Sequence, residues 1–140
     1  MTVHLLFAAI SLFAQTFGGT WTCHDGAFLV PWRIAATASE TWTTVSYGRG
    51  NNGGIAYVGF LPRAHRWLYE DFHADGSYAR NVSRGPVSKT WVWTGDYYTA
   101  DRIRSGRVTW RLSAPSRIDR TFEPLQHGRY VVSGRDYCTK

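Results

Sequence analysis

Asp71 and Arg120 are the two side chains whose surroundings in the sequence suggest chemistry. Between Arg66 and Phe72, strand alternation sets Trp67, Tyr69 and Asp71 on one face and Leu68, Glu70 and Phe72 on the other. If the face with the two aromatics is interior, Asp71 is a desolvated carboxylate with a perturbed pKa, the property expected of an acid or base catalyst. Its neighbour Glu70 points the opposite way, so the two cannot act as a carboxylate pair. Between Arg117 and Phe122, Ile118, Arg120 and Phe122 share one face, and Arg117, Asp119 and Thr121 share the other. An arginine on an apolar face needs an anionic partner, because a buried unpaired charge is costly. That partner is a ligand anion, or a structural carboxylate such as Asp71, unless a bulge turns Arg120 outward.

Other chemistry finds less support. His24, His65, His73 and His127 lack metal-ligand spacing, and His24-Asp25 and His73-x-Asp75 read as turn residues beside glycines. No metal site is expected. The chain has no Gly-x-Ser-x-Gly elbow and no phosphate-binding glycine loop. Trp91 and Trp93 fall on one strand face. They form a sugar-stacking platform if that face is exposed, or core if it is interior. The net charge of +6 invites a nucleic-acid partner, and six arginines lie between residues 101 and 120. Arg107, Thr109 and Arg111 read as the solvated face of a strand, however, and no recognised nucleic-acid signature is present. A nucleic-acid partner is not expected.

The elements that must position these residues are short strands. The chain of 140 residues suits one domain. Beyond its start, no window longer than ten residues carries a helical period, whereas period-2 runs recur every 8–12 residues between turn signals. These runs include Trp32 to Ala38, Thr41 to Tyr47, Ile55 to Leu61, Arg66 to Phe72 and Ser77 to Ser83. Lys89 to Gly95, Arg107 to Ser113, Arg117 to Glu123 and Arg129 to Tyr137 follow. About ten short strands joined by tight turns predict an all-β fold, a single antiparallel up-and-down β-barrel that closes to remove its edges.

The first charged residue is Asp25, and Leu5 to Ala14 is almost uniformly apolar. That run is too short to span a bilayer and has the length of a signal-peptide core, with Leu12-x-Ala14 as a cleavage signal. Residues 1–18 are therefore expected to be a signal peptide and 19–140 the barrel, in a secreted or periplasmic protein without a membrane span. The alternative is a buried N-terminal strand or helix. Cys23 and Cys138 lie near the two ends of the expected domain and would pair in an oxidising compartment. Otherwise they are two buried thiols. Pairing would make the first and last strands neighbours.

Gly19-Thr20-Trp21 resembles the Gly-x-Trp opening of calycin-type barrels such as lipocalins, fatty-acid-binding proteins and nitrobindins. There the tryptophan closes one end of the barrel, the role implied for Trp21. The stretch from Tyr57 to Trp67, Asp75-Gly-Ser-Tyr78, Ser83-Arg-Gly-Pro86 and Trp91-x-Trp-Thr-Gly95 are similar to an uncharacterised family of small, often exported bacterial calycin-like proteins. Its members often pair an early cysteine with one near the C-terminus. The resemblance covers most of residues 19–138 and bears on fold more than on function. Fatty-acid-binding proteins hold a ligand carboxylate with an interior Arg-x-Tyr. Arg120-Thr-Phe122 resembles that clamp with Phe in place of Tyr. Nitrobindin-like relatives hold haem through a late histidine. The late histidine here, His127, falls in a turn, and no cofactor is expected.

These readings converge on noncatalytic binding of a small hydrophobic or amphipathic molecule, anionic if Arg120 is its anchor. Trp67, Tyr69, Trp91 and Trp93 are the pocket candidates. The alternatives are a barrel enzyme using Asp71 as acid or base, and a glycan-binding module using Trp91 and Trp93.

Overall fold

The computed structural model describes residues 12–37 and 42–140. Residues 1–11, which hold most of the expected leader, and Ala38 and Thr41 of the predicted strands lie outside the described residues. The described residues form eleven strands: β1 (Gly19–Asp25), β2 (Phe28–Ala36), β3 (Thr43–Tyr47), β4 (Gly54–Leu61), β5 (Arg66–His73), β6 (Tyr78–Ser83), β7 (Thr90–Tyr98), β8 (Ile103–Ala114), β9 (Arg117–Gln126), β10 (Arg129–Tyr130) and β11 (Gly134–Thr139). Each strand from β1 to β9 pairs antiparallel with the next, and β11 lies between β9 and β1. The result is a closed up-and-down barrel of ten strands, with β10 as a short extension of the last hairpin. Closure pairs each of the ten barrel strands on both sides, which removes the open edges of the sheet.

Alternation explains which side chains fill it. Trp21 and Cys23 on β1, Trp32 and Ile34 on β2, Val45 on β3, Val58 on β4 and Ile118 on β9 all point inward and are buried. The disulfide joins Cys23 to Cys138, which face each other across the β1–β11 pair. It links strands at the two ends of the chain, which shrinks the unfolded ensemble strongly.

Two strands run differently from the sequence reading, for local reasons. The predicted strand from Arg129 to Tyr137 is broken at residues 131–133. The break lies opposite Glu123 and Pro124: Leu125 pairs with Tyr130 and Phe122 with Gly134, so three residues face two. Pro124 has no N–H to give to a ladder, which is why the register slips there. Gly95, read as a strand end, instead lies within β7. A Cβ at this position would stand 1.9 Å from the Arg80 carbonyl oxygen on β6. Glycine therefore allows two backbones to come close in mid-strand.

Residues 12–17, inside the expected leader, are helical. Phe13 and Phe17 of this segment have no exposed surface. Phe13 lies against Trp91, Trp93 and Trp110, and Phe17 against Trp91 and Trp110. The Trp21 indole Nε1–H donates to the Phe17 carbonyl at 2.8 Å. This segment fills one end of the barrel. At the opposite end lie the hairpin turns that follow β1, β3, β5, β7 and β9.

Candidate functional site

The end away from Phe13 and Phe17 holds a cavity of about 1010 Å³. Seven rings in its wall touch in sequence. Tyr97 lies edge-on to His73, His73 to Tyr47, and Tyr47 stacks on Trp32 at 5.0 Å between ring centroids. Trp32 meets Trp110, Trp110 meets Tyr69, and Tyr69 meets Trp93. Seven rings from five strands thus make one belt, because each sits at an inward position of its own strand. Edge-to-face contacts of this kind fix ring positions beyond what burial alone would do.

Two polar clusters break the belt. On one side, Arg120 of β9 donates from Nε to Asp136 Oδ1 at 2.7 Å and from Nη2 to Asp136 Oδ2. The two residues are directly opposite in the β9–β11 register. The guanidinium also stands 4.3 Å from the Trp32 ring centroid and 5.5 Å from that of Trp110. A bidentate carboxylate and aromatic faces together satisfy a buried cation.

On the other side, the Tyr47 hydroxyl donates to Asp71 Oδ1 at 2.7 Å. His73 Nδ1 lies 2.8 Å from the same hydroxyl oxygen. The phenol has one proton, already given to Asp71, so Nδ1 carries the proton and donates to Tyr47. His73 Nε2 then faces Asp71 Oδ2 at 3.4 Å. Burial raises the Asp71 pKa, and the Tyr47 hydrogen bond, His73 and Arg120 offset part of that rise. Burial and the Asp71 charge both push the Tyr47 phenol up, so it stays a donor. Tyr69, buried beside Asp71, is raised chiefly by desolvation.

The residues singled out by sequence are divided by depth. Tyr69, Trp93 and Arg120 line the cavity, as does Asp71. Trp67 and Trp91 do not: they pack edge-to-face at 4.9 Å in the filled end, with Trp91 against Phe13. Trp91 and Trp93 are 0% and 2% exposed, so they form no surface platform for a sugar. Their Nε1–H groups reach no nitrogen or oxygen acceptor and lie among rings. Trp21 is buried at the filled end, with the Lys140 ammonium 4.7 Å from its ring centroid. Arg120 does face inward, but its partner is Asp136 and not Asp71. His73 is the last residue of β5, not a turn residue. His24 stacks on Tyr137. Among the described residues, no group of three His, Cys, Asp or Glu side chains is arranged to hold a metal.

Sequence reasoning missed Tyr47, His73, Asp136, Trp32 and Trp110 as site residues. Period 2 carried further would have reached two of them. His73 continues the Trp67, Tyr69, Asp71 series, and Asp136 shares the face of Cys138.

No protein-family model matches the chain, and a search of curated proteins finds no match. Among the described residues, no helix is long and apolar enough to cross a membrane.

Proposed function

We propose that this protein is an exported calycin-like barrel that binds a small hydrophobic or amphipathic molecule without transforming it. The aromatic-lined cavity of about 1010 Å³ carries the reading. Its size is at the upper end of what small-molecule sites use, about 300–1,000 Å³, and its wall sets an aromatic belt beside polar groups such as Asp71, Asn81 and Arg120. The disulfide supports an oxidising compartment. Trp21, buried at the filled end after Gly19-Thr20, supports the calycin likeness. Tyr69 and Trp93 form part of the ligand wall. Arg120 is neutralised by Asp136 and shapes that wall instead of anchoring an anion.

The test is native mass spectrometry of the purified protein together with a thermal-shift screen. A co-purifying lipid or pigment, or a higher Tm with amphipathic compounds, supports the reading. No bound mass and no shift with any such compound refutes it. A second reading has a specific observation behind it. The hydrogen-bonded Tyr47–Asp71–His73 cluster could move a proton at a bound substrate, with Asp71 as acid or base. Turnover that is lost in Asp71→Asn while ligand binding persists would favour the enzyme.

A further inference from the structure

Among the described ion pairs, four charged side chains are no more than 15% exposed: Asp71, Glu123, Arg120 and Asp136, at 15%, 13%, 9% and 7%. Glu123 is paired with Arg107 in a bidentate contact. Arg120 and Asp136 cancel in a bidentate pair. Among the described residues, no arginine or lysine stands within ion-pair distance of Asp71. It accepts one hydrogen bond from the Tyr47 phenol, and His73 Nε2 lies 3.4 Å from its other oxygen. In a protein of net charge +6, the cavity wall nonetheless holds five carboxylates, Asp25, Asp71, Asp96, Glu123 and Asp136, against three arginines.

The same wall already shows how it holds a cation. Arg120 rests on the faces of Trp32 and Trp110 and pairs with a carboxylate. Around Asp71 the elements repeat. The carboxylate lies in the cavity wall with the Tyr47 and Tyr69 rings, and the cavity supplies space where Asp136 has its arginine. The negative faces of aromatic rings and a desolvated carboxylate both favour a positive guest.

We propose that the cavity selects an organic cation, an aromatic or otherwise apolar amine whose ammonium pairs with Asp71 and whose apolar part lies along the ring belt. This rests on the ligand-binding reading and specifies the class of ligand. An arriving ammonium supplies the partner that Asp71 lacks and adds cation–π contact. A ligand carboxylate would instead face Asp71 as a like charge, with Arg120 already engaged.

The test uses three probes that share an indole ring and differ in the tail: tryptamine, indole-3-ethanol and indole-3-acetate. Isothermal calorimetry at neutral pH on the intact, disulfide-bonded protein is expected to rank tryptamine at least about tenfold tighter than the alcohol, which corresponds to about 1.4 kcal/mol. Indole-3-acetate is expected to bind weakest. Asp71→Asn, which keeps an acceptor for Tyr47, is expected to bring tryptamine down to the alcohol. Equal affinities in the parent protein, or tightest binding of indole-3-acetate, overturn the proposal whether or not the variant folds. A neutral dye, N-phenyl-1-naphthylamine, separates the two levels. Dye binding without amine preference refutes the cation alone, and failure of the dye and all three indoles refutes the binding reading as well.

Discussion

The helical segment at residues 12–17 is expected to act as a structural plug, and Phe17→Ala measures it. Phe17 has no exposed surface and packs on Phe13, Trp91 and Trp110, with ring centroids 5.0, 6.3 and 5.5 Å away. Truncating a buried phenylalanine to alanine costs about 3–5 kcal/mol, through lost transfer energy and the cavity left behind. The segment leads the barrel and can settle partly into the gap, so the lower figure applies. The backbone acceptor for Trp21 survives the change, because the bond is made to the Phe17 carbonyl. For a domain of this size about 1 kcal/mol moves Tm by roughly 4 °C, so a fall of about 12 °C is expected. Thermal unfolding by circular dichroism, without reductant, reads it. Phe13→Ala should behave alike, whereas exposed Leu12→Ala should stay within about 0.5 kcal/mol. Melting of both phenylalanine variants within about 2 °C of the parent would show that the segment is not docked. The plug also bears on processing. A chain cut after Ala14 loses Phe13, and one beginning at Gly19 loses both rings. Forms of defined N-terminus should therefore melt in the order of the phenylalanines they keep.

Three further outcomes follow from the buried polar and covalent links. Cys138→Ser opens a link across 115 residues of sequence, and chain entropy puts the loss at about 5 kcal/mol, read as a lower urea midpoint. Asp136→Ala strands the Arg120 guanidinium in the barrel and should cost about 3–5 kcal/mol; a loss below about 1 kcal/mol by chemical denaturation would mean that water reaches the arginine. Asp71 gives a pH signature. Its folded-state pKa is raised above 3.8 by desolvation, so the native protein holds this proton more tightly than the unfolded chain. Its contribution to stability is full below 3.8 and is lost as pH rises through the raised value. Tyr47, His73 and Arg120 face it and offset only part of the shift. Asp71→Asn should thus gain stability over the parent as pH rises across that window, and a difference that stays flat with pH refutes the assignment.

Several site features were legible before the fold was known, because they depend only on alternation. Any strand containing Arg66 to Phe72 must set Trp67, Tyr69 and Asp71 on one side, and the same holds for Ile118, Arg120 and Phe122. Which side is interior is decided by the closed barrel, which places Trp67, Tyr69, Ile118 and Arg120 inside. The spacing of turns required many short strands, and many short strands close into a barrel. Strand ends were less legible. His73 looked like part of a turn because Asp75 and Gly76 follow it, yet β5 continues through it as the partner of Gly54.

What a side chain meets across the barrel could not be read from alternation at all. Arg120 on an apolar face announces a need for a carboxylate. The register of β9 against β11, two strands apart from each other in sequence only by a broken hairpin, decides that Asp136 meets it. Asp71 is thereby left to Tyr47 and His73, brought in from β3 and the end of β5. Depth along the barrel axis is likewise a property of the closed sheet. Trp91 and Trp93 share a face, but one packs in the filled end and the other reaches the cavity wall. Residues 12–17 set where that boundary falls. Period 2 determines inside from outside. Strand register and barrel closure determine depth and partners, since those contacts join residues far apart in the chain.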